Sequence, residues 1–157
     1  MKNGLKLDIF PHIFPQPYFE RMRKVAGSNP ALSATIMRWL NIPVLWNLDA
    51  RMRMMKDFRG YKQILTLSLP AIELLAGPEE SPALARLAND GMAEIVALHP
   101  DQFPAFVASL PMNNVPAALR RWTARSPGSA RRASRYSPTS TAGRSTTRSS
   151  FRSSSAA

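Results

Sequence analysis

Few residues in this chain are of a type that does chemistry. Asp8 lies within Lys6-Leu7-Asp8-Ile9-Phe10, a short apolar run with one acid that suits a buried strand entering a polar site. Its carboxylate either orients a site at the strand end or is a buried, hydrogen-bonded acid. The chain has two histidines, His12 and His99. His99 sits in a His-Pro-Asp turn that ends a helix, which reads as a capping or surface position. Arg51, Arg53 and Lys56 stand among Met52, Met54 and Met55. Such a mix could face a membrane or an acidic ligand, but it reads first as an ordinary amphipathic helix whose methionines fill irregular gaps. The absence of cysteine excludes a disulfide framework and any thiolate metal site. No glycine-rich phosphate loop, nucleophile elbow or zinc-finger spacing is present.

The elements that must position these residues follow from local pattern. Pro11, Pro15 and Pro17 break the first run, because proline lacks the donor that a ladder or helix needs. Tyr18 to Ala26 has helical spacing, with Phe19 and Met22 on one side and Gly27 as the stop. Pro30 opens a short helix through Leu40, and Pro43 ends that stretch. Leu48 to Phe58 reads as another helix, followed by Gly60. Gln63 to Leu69 is a strand apolar enough to be buried on both faces. Ser81-Pro82 predicts a helix start, a serine cap with proline at the first helical position. Leu84, Leu87, Ala88, Gly91, Met92, Ile95 and Leu98 then form an apolar stripe, with Arg86, Asn89 and Glu94 outside it. His99-Pro100 ends the helix, and Phe103 to Leu110 is a third strand. Strand, helical insert, strand, long helix, strand is an α/β alternation that favours a parallel sheet.

At 157 residues the chain has room for one ordinary domain. No stretch approaches the roughly eighteen uninterrupted apolar residues of a membrane span. Met1-Lys2-Asn3-Gly4 leads into only a short apolar run and is not a secretory signal, so a cytoplasmic location is expected. The formal charge of +11 is unevenly spread: residues 1–115 hold twelve Lys or Arg against ten Asp or Glu, whereas residues 116–157 hold nine Arg and no acid. That last stretch also lacks Lys, Asn, Gln, Ile, Val, Met and His. Read physically, it is a disordered basic tail with too little apolar surface to offset the entropy of ordering. Its residues also have GC-rich codons, which points to translation out of frame. If each true codon begins at the last base of the preceding one, Arg120 to Ser126 decodes to Glu-Glu-Met-Asp-Arg-Ala-Ile. Continuing in that phase gives a glycine stop, an apolar strand and a polar loop. The expected division is therefore residues 1–119 as ordered protein and 120–157 as a disordered, Arg/Ser-rich, out-of-frame tail.

Lys6-Leu7-Asp8-Ile9-Phe10-Pro11-His12-Ile13-Phe14-Pro15 resembles the first strand of the amidohydrolase-related family, which includes the aminocarboxymuconate-semialdehyde and resorcylate decarboxylases. Asn89-Asp90-Gly91 and His99-Pro100-Asp101-Gln102-Phe103-Pro104 are further matches, and Ala108-Ser109-Leu110-Pro111-Met112 is similar to the family's third strand. The resemblance implies the first two to three βα units of a (β/α)₈ barrel, which needs eight. It also implies a divalent metal, with zinc as the usual ion, at the C-terminal mouth, and a small carboxylated substrate that loses carbon dioxide or is hydrolysed. The family's ligands begin with a His-x-His pair, because imidazoles two residues apart on a strand point to the same side. The matching positions here are Phe10 and His12. Phenylalanine donates no electron pair, so His12 is the one position carried over as a metal ligand or substrate contact; its bland alternative is a strand-end histidine bonded to a neighbouring loop. Asn113 and Asn114 would lie on the functional rim of such a barrel, or simply make a turn.

Three functions compete. The first, preferred here, is a truncated and inactive member of this decarboxylase and hydrolase family that binds no metal by itself, so whether the chain is an enzyme is open. The second is a nucleic-acid-binding protein acting through its basic tail. It ranks below the first because Trp122, Tyr136 and Phe151 show no regular interleaving with the arginines. The third is a subunit completed by a partner that supplies further strands.

Overall fold

Lys6–Asp8 (β1) and His12–Ile13 (β2) line up along one edge of Tyr61–Leu67 (β3), while Ala105–Phe106 (β4) lies along the other edge. Every pairing is parallel: Asp8 faces Gln63, His12 faces Thr66, and Ile64 faces Ala105. The protein is seen here as a computed structural model that describes residues 4–27 and 29–123. The tail expected to be disordered therefore lies outside the described residues from position 124 onward.

The first strand expected over Lys6 to Phe10 is interrupted. The Asp8 carboxylate accepts from the Phe10 backbone N–H at 2.9 Å, a local bond that turns the chain out of the ladder. Pro11 then contributes only its carbonyl, which accepts from Thr66 N at 3.1 Å, and pairing resumes at His12. Lys6 N donates to the carbonyl of Gly60, whose φ of 73° makes the turn into β3.

Parallel strands need crossovers, and helices supply them. Between β2 and β3 run Gln16–Ala26 (α1), Pro30–Leu40 (α2), a tight 3₁₀ turn at Pro43–Leu45, and Leu48–Met55 (α3). Asn29 caps α2 by accepting from Ala31 N and Leu32 N, and Asn47 caps α3 by accepting from Ala50 N. Between β3 and β4 lie Ile72–Leu75 (α4) and the long Ser81–Leu98 (α5). A last helix, Val115–Thr123 (α6), was not foreseen from the pattern, and neither was α4.

Two features of α5 differ from expectation. Ser81 is not the cap: that position is Glu80, which makes no capping bond, and the fully buried Ser81 hydroxyl donates to Asn113 Oδ1 at 2.6 Å. Asn89, expected outside the apolar stripe, is buried. Its side-chain amide donates to Ser109 O and accepts from Ser109 N, both at 2.8 Å. That exchange satisfies the third strand's backbone beyond Phe106, where only two residues join the ladder rather than the eight expected.

One core lies where α1, α2, α4 and α5 meet, around Phe14, Tyr18, Phe19, Met22, Leu84 and Ala88. A second lies under the sheet, around Ile13, Leu65, Met92, Ile95 and Phe103. Each buried aliphatic or aromatic side chain there contributes about 1.5–3 kcal/mol. Among the described residues, the helices cover one sheet face. On the other, Leu7 and Val107 remain 44% and 55% exposed.

Candidate functional site

The site grows from the point where the first strand ends. Ile13 and Leu65 both belong to the core beneath the sheet, so strand alternation turns their neighbours His12 and Thr66 to the opposite, uncovered face. His12 and Thr66 are direct partners in the ladder. Across it, His12 Nδ1 lies 3.0 Å from Thr66 Oγ1, and the same hydroxyl donates to the Pro11 carbonyl at 2.7 Å. The Phe10 and His12 rings meet in a T-shaped arrangement, with centroids 5.0 Å apart. Both residues are partly open to solvent, and Phe10 is 75% exposed.

Beneath this pair lies a polar chain that the sequence pattern did not suggest. Arg51, read as part of an ordinary amphipathic helix, is 3% exposed. Its Nε donates to Val44 O at 2.9 Å, one terminal nitrogen donates to Gln63 Oε1 at 2.7 Å, and the other donates to the His12 carbonyl. Gln63 Nε2 donates to Tyr61 Oη at 3.0 Å, and that hydroxyl donates to Asp8 Oδ2 at 2.6 Å. Asp8 is thus a hydrogen-bonded acid on the helix side, tied through Tyr61, Gln63 and Arg51 to the backbone of His12. Burial pushes the Arg51 guanidinium down to about 10, although Tyr61 and Asp8 oppose the shift. Burial and the bond to Asp8 raise Tyr61 above its ordinary value.

The other candidates separate from this centre. His99 ends α5: its N–H reaches Ile95 O, and its carbonyl accepts from Gln102 N and Phe103 N. Asn113 and Asn114 make long-range bonds instead, donating to Ala76 O and Pro78 O in the segment after α4. Arg53 and Lys56 are exposed, unlike Arg51. Thr66, Gln63 and Tyr61 were missed as site residues. Gln63 alone carried a signal, since a polar amide on a strand expected to be buried on both faces needs a partner.

Chemically, His12 offers one imidazole nitrogen, while both carboxylate oxygens of Asp8 are already engaged. Among the described residues, no group of three or more His, Cys, Asp or Glu side chains gathers that could hold a metal ion. No helix of the described residues is long and apolar enough to cross a membrane.

No protein-family model matches the chain. It is 38% identical over 76 residues to the gamma-resorcylate decarboxylase of Rhodococcus jostii, a match covering 46% of this chain and 23% of that protein. Against the gamma-resorcylate decarboxylase of a Polaromonas species it is 39% identical over 72 residues, 46% of this chain and 22% of the relative. The same enzyme name belongs to a relative in Rhizobium radiobacter, 37% identical over 72 residues. The match spans less than a quarter of the length of these curated relatives.

Proposed function

We propose, from the premise that this chain belongs to the amidohydrolase-related decarboxylase family, that residues 1–119 supply the first two to three βα units of a (β/α)₈ barrel. Its whole form would be a carbon–carbon lyase acting on small, aromatic-derived carboxylates. The matched relatives carry a decarboxylase name, and the parallel strands with helices on one face suit the opening of such a barrel. In this reading His12 is a ligand or substrate contact at the carboxyl end of the first strand.

The family's divalent metal does not fit the described residues. Only His12 offers a free donor at the strand end, because Phe10 holds the neighbouring ligand position and Asp8 is engaged on the helix side. The single observation that supports this reading is the position of His12, which pairs with Thr66 at the end of the parallel ladder on the uncovered sheet face. In this reading the chain alone is inactive, and a second imidazole at position 10 would restore the chelating spacing.

The test compares the full chain with Phe10→His. Zinc affinity is measured by calorimetry, and carbon dioxide release is measured from gamma-resorcylate. The expected result is no release from either protein and roughly tenfold or tighter zinc binding by Phe10→His, about 1.4 kcal/mol. Carbon dioxide release by the unaltered chain would overturn its inactivity. Unchanged zinc affinity would overturn the placement of positions 10 and 12 on one metal-facing side.

The uncovered sheet face favours a second reading, in which a partner supplies further strands. Leu7 and Val107 are exposed on it, whereas parallel sheets normally have both faces covered. A stable heteromeric complex on purification from the native host would support that reading.

A further inference from the structure

We infer that Thr66 is a positioning residue that fixes the His12 imidazole as the Nδ1–H tautomer and presents the Nε2 lone pair as the donor. Counting hydrogens leads to this assignment. A threonine hydroxyl has one hydrogen and two acceptor lone pairs. The Pro11 carbonyl, 2.7 Å from Thr66 Oγ1, can only accept, so the hydroxyl hydrogen points there. His12 Nδ1, 3.0 Å from the same oxygen, must then be the donor. A neutral imidazole carries one proton, so Nε2 is left bare.

Arg51 holds the other end of the residue. Its guanidinium donates to the His12 carbonyl while also anchored to Val44 O and Gln63 Oε1. The ring is thus fixed through its Nδ1 and the backbone through its carbonyl. This is the arrangement in which a histidine presents one chosen nitrogen, and the partner of the other nitrogen sets which one that is. Thr66 and Arg51 lie far from His12 in sequence, and both touch it. The family reading enters only in what Nε2 would meet, a divalent cation or a substrate group; the tautomer itself follows from the hydrogen bonds alone.

The test is nitrogen NMR of the full chain labelled at histidine, at a pH of about 8.5, where an ordinary imidazole is neutral. With only two histidines in the chain, His99→Gln assigns the His12 signals. The expected spectrum shows a protonated Nδ1 and an unprotonated Nε2 on His12. Thr66→Val keeps the β-branched shape but removes the hydroxyl, and should move the proton largely to Nε2. Thr66→Ser should restore the original pattern, which a merely structural role for Thr66 would not predict. A wild-type His12 protonated on Nε2 would overturn the inference, as would a tautomer unmoved in folded Thr66→Val. If Thr66→Val fails to fold, the wild-type and Thr66→Ser spectra still decide. Zinc added to Phe10→His separates the two ideas: an Nε2 signal that ignores the metal sinks the ligand reading of His12 and leaves the tautomer assignment standing.

Discussion

Arg51 donates from its guanidinium to the backbone carbonyl of His12, joining helix α3 to the residue on which the candidate site is built. Three acceptors depend on this one side chain: His12 O, Val44 O and Gln63 Oε1. Arg51→Met would fill similar volume but leave them unsatisfied, each buried loss costing about 1–3 kcal/mol. Relief of the guanidinium's own burial, visible in its depression to about 10, offsets part of that. The expected result is a net loss of about 2–3 kcal/mol in urea unfolding at an unchanged m-value. Arg51→Lys should recover less than half, since an ammonium cannot reproduce the planar fork. A fully stable Arg51→Met protein would show that the network is dispensable.

How much of this was legible beforehand depends on what each residue's neighbours in sequence reveal. The helices α1, α2, α3 and α5 were legible through apolar spacing and through Pro30, Gly60 and the stripe from Leu84 to Leu98. The parallel α/β order was legible for the same reason. Arg51 and Asn89 were misplaced because each occupies a helix position where a polar residue ordinarily faces water; its burial depends on acceptors 12 and 20 residues further along the chain. Thr66 was invisible as a site residue because a threonine in a strand is common. Its role appears only when Pro11 and His12 lie opposite it. Pattern shows which face is apolar, but it does not show which buried polar groups find each other.

Gly91 on α5 meets Pro15 so closely that a Cβ added there would stand 2.4 Å from the Pro15 Cβ and 3.2 Å from its Cγ. The pyrrolidine ring is rigid and Pro15 begins α1, so neither side yields easily. Gly91→Ala would gain about 1 kcal/mol of helix propensity against an overpacking cost of about 1–3 kcal/mol. A net destabilisation of up to about 2 kcal/mol is expected from thermal or urea unfolding. Gly77→Ala is the control, because nothing lies within 4 Å of its added Cβ, and it should change stability by less than about 0.5 kcal/mol. Equal effects at the two sites would refute the close helix–loop approach.

Tyr18 is fully buried, and its hydroxyl has no hydrogen-bond partner among the described residues. Tyr18→Phe should therefore stabilise the protein at neutral pH by roughly 1 kcal/mol. The pH dependence has a definite sign. Burial, helped by nearby Glu73, raises the Tyr18 pKa well above its ordinary 10.0. The unfolded chain then loses the proton first, and stability falls as pH rises beyond about 10. Arg51 acts oppositely: with its folded value down at about 10 from 12.5, the unfolded state binds more protons between those values and stability rises there. The difference between wild type and Tyr18→Phe isolates the tyrosine. Urea midpoints at pH 7 and pH 11 should show the variant's advantage widening at the higher pH. A variant less stable than wild type at neutral pH would mean that the hydroxyl is satisfied.

The tail gives the prediction with the widest consequence. Residues 116–157 hold nine arginines and no acid, and we propose that the native reading frame is lost after about Leu119. Helix α6 runs through this position, Val115–Thr123. Ala117, Ala118, Leu119 and Arg120 are all strong helix formers, so helicity there does not depend on the residues beyond Thr123. Resequencing the coding DNA around the codons for Leu119 and Arg120 should reveal an alternative frame open for about two hundred further codons, the balance of a barrel, with histidine and aspartate at strand ends. Such a frame would supply the strands that the uncovered sheet face needs and the ligands that His12 lacks. If no frame continues, the arginine-rich segment is genuine. Nucleic-acid affinity should then fall steeply with salt and vanish on deletion of residues 120–157. The two outcomes exclude each other, because the basic, acid-free composition is a by-product of the wrong frame in the first and the chain's own composition in the second.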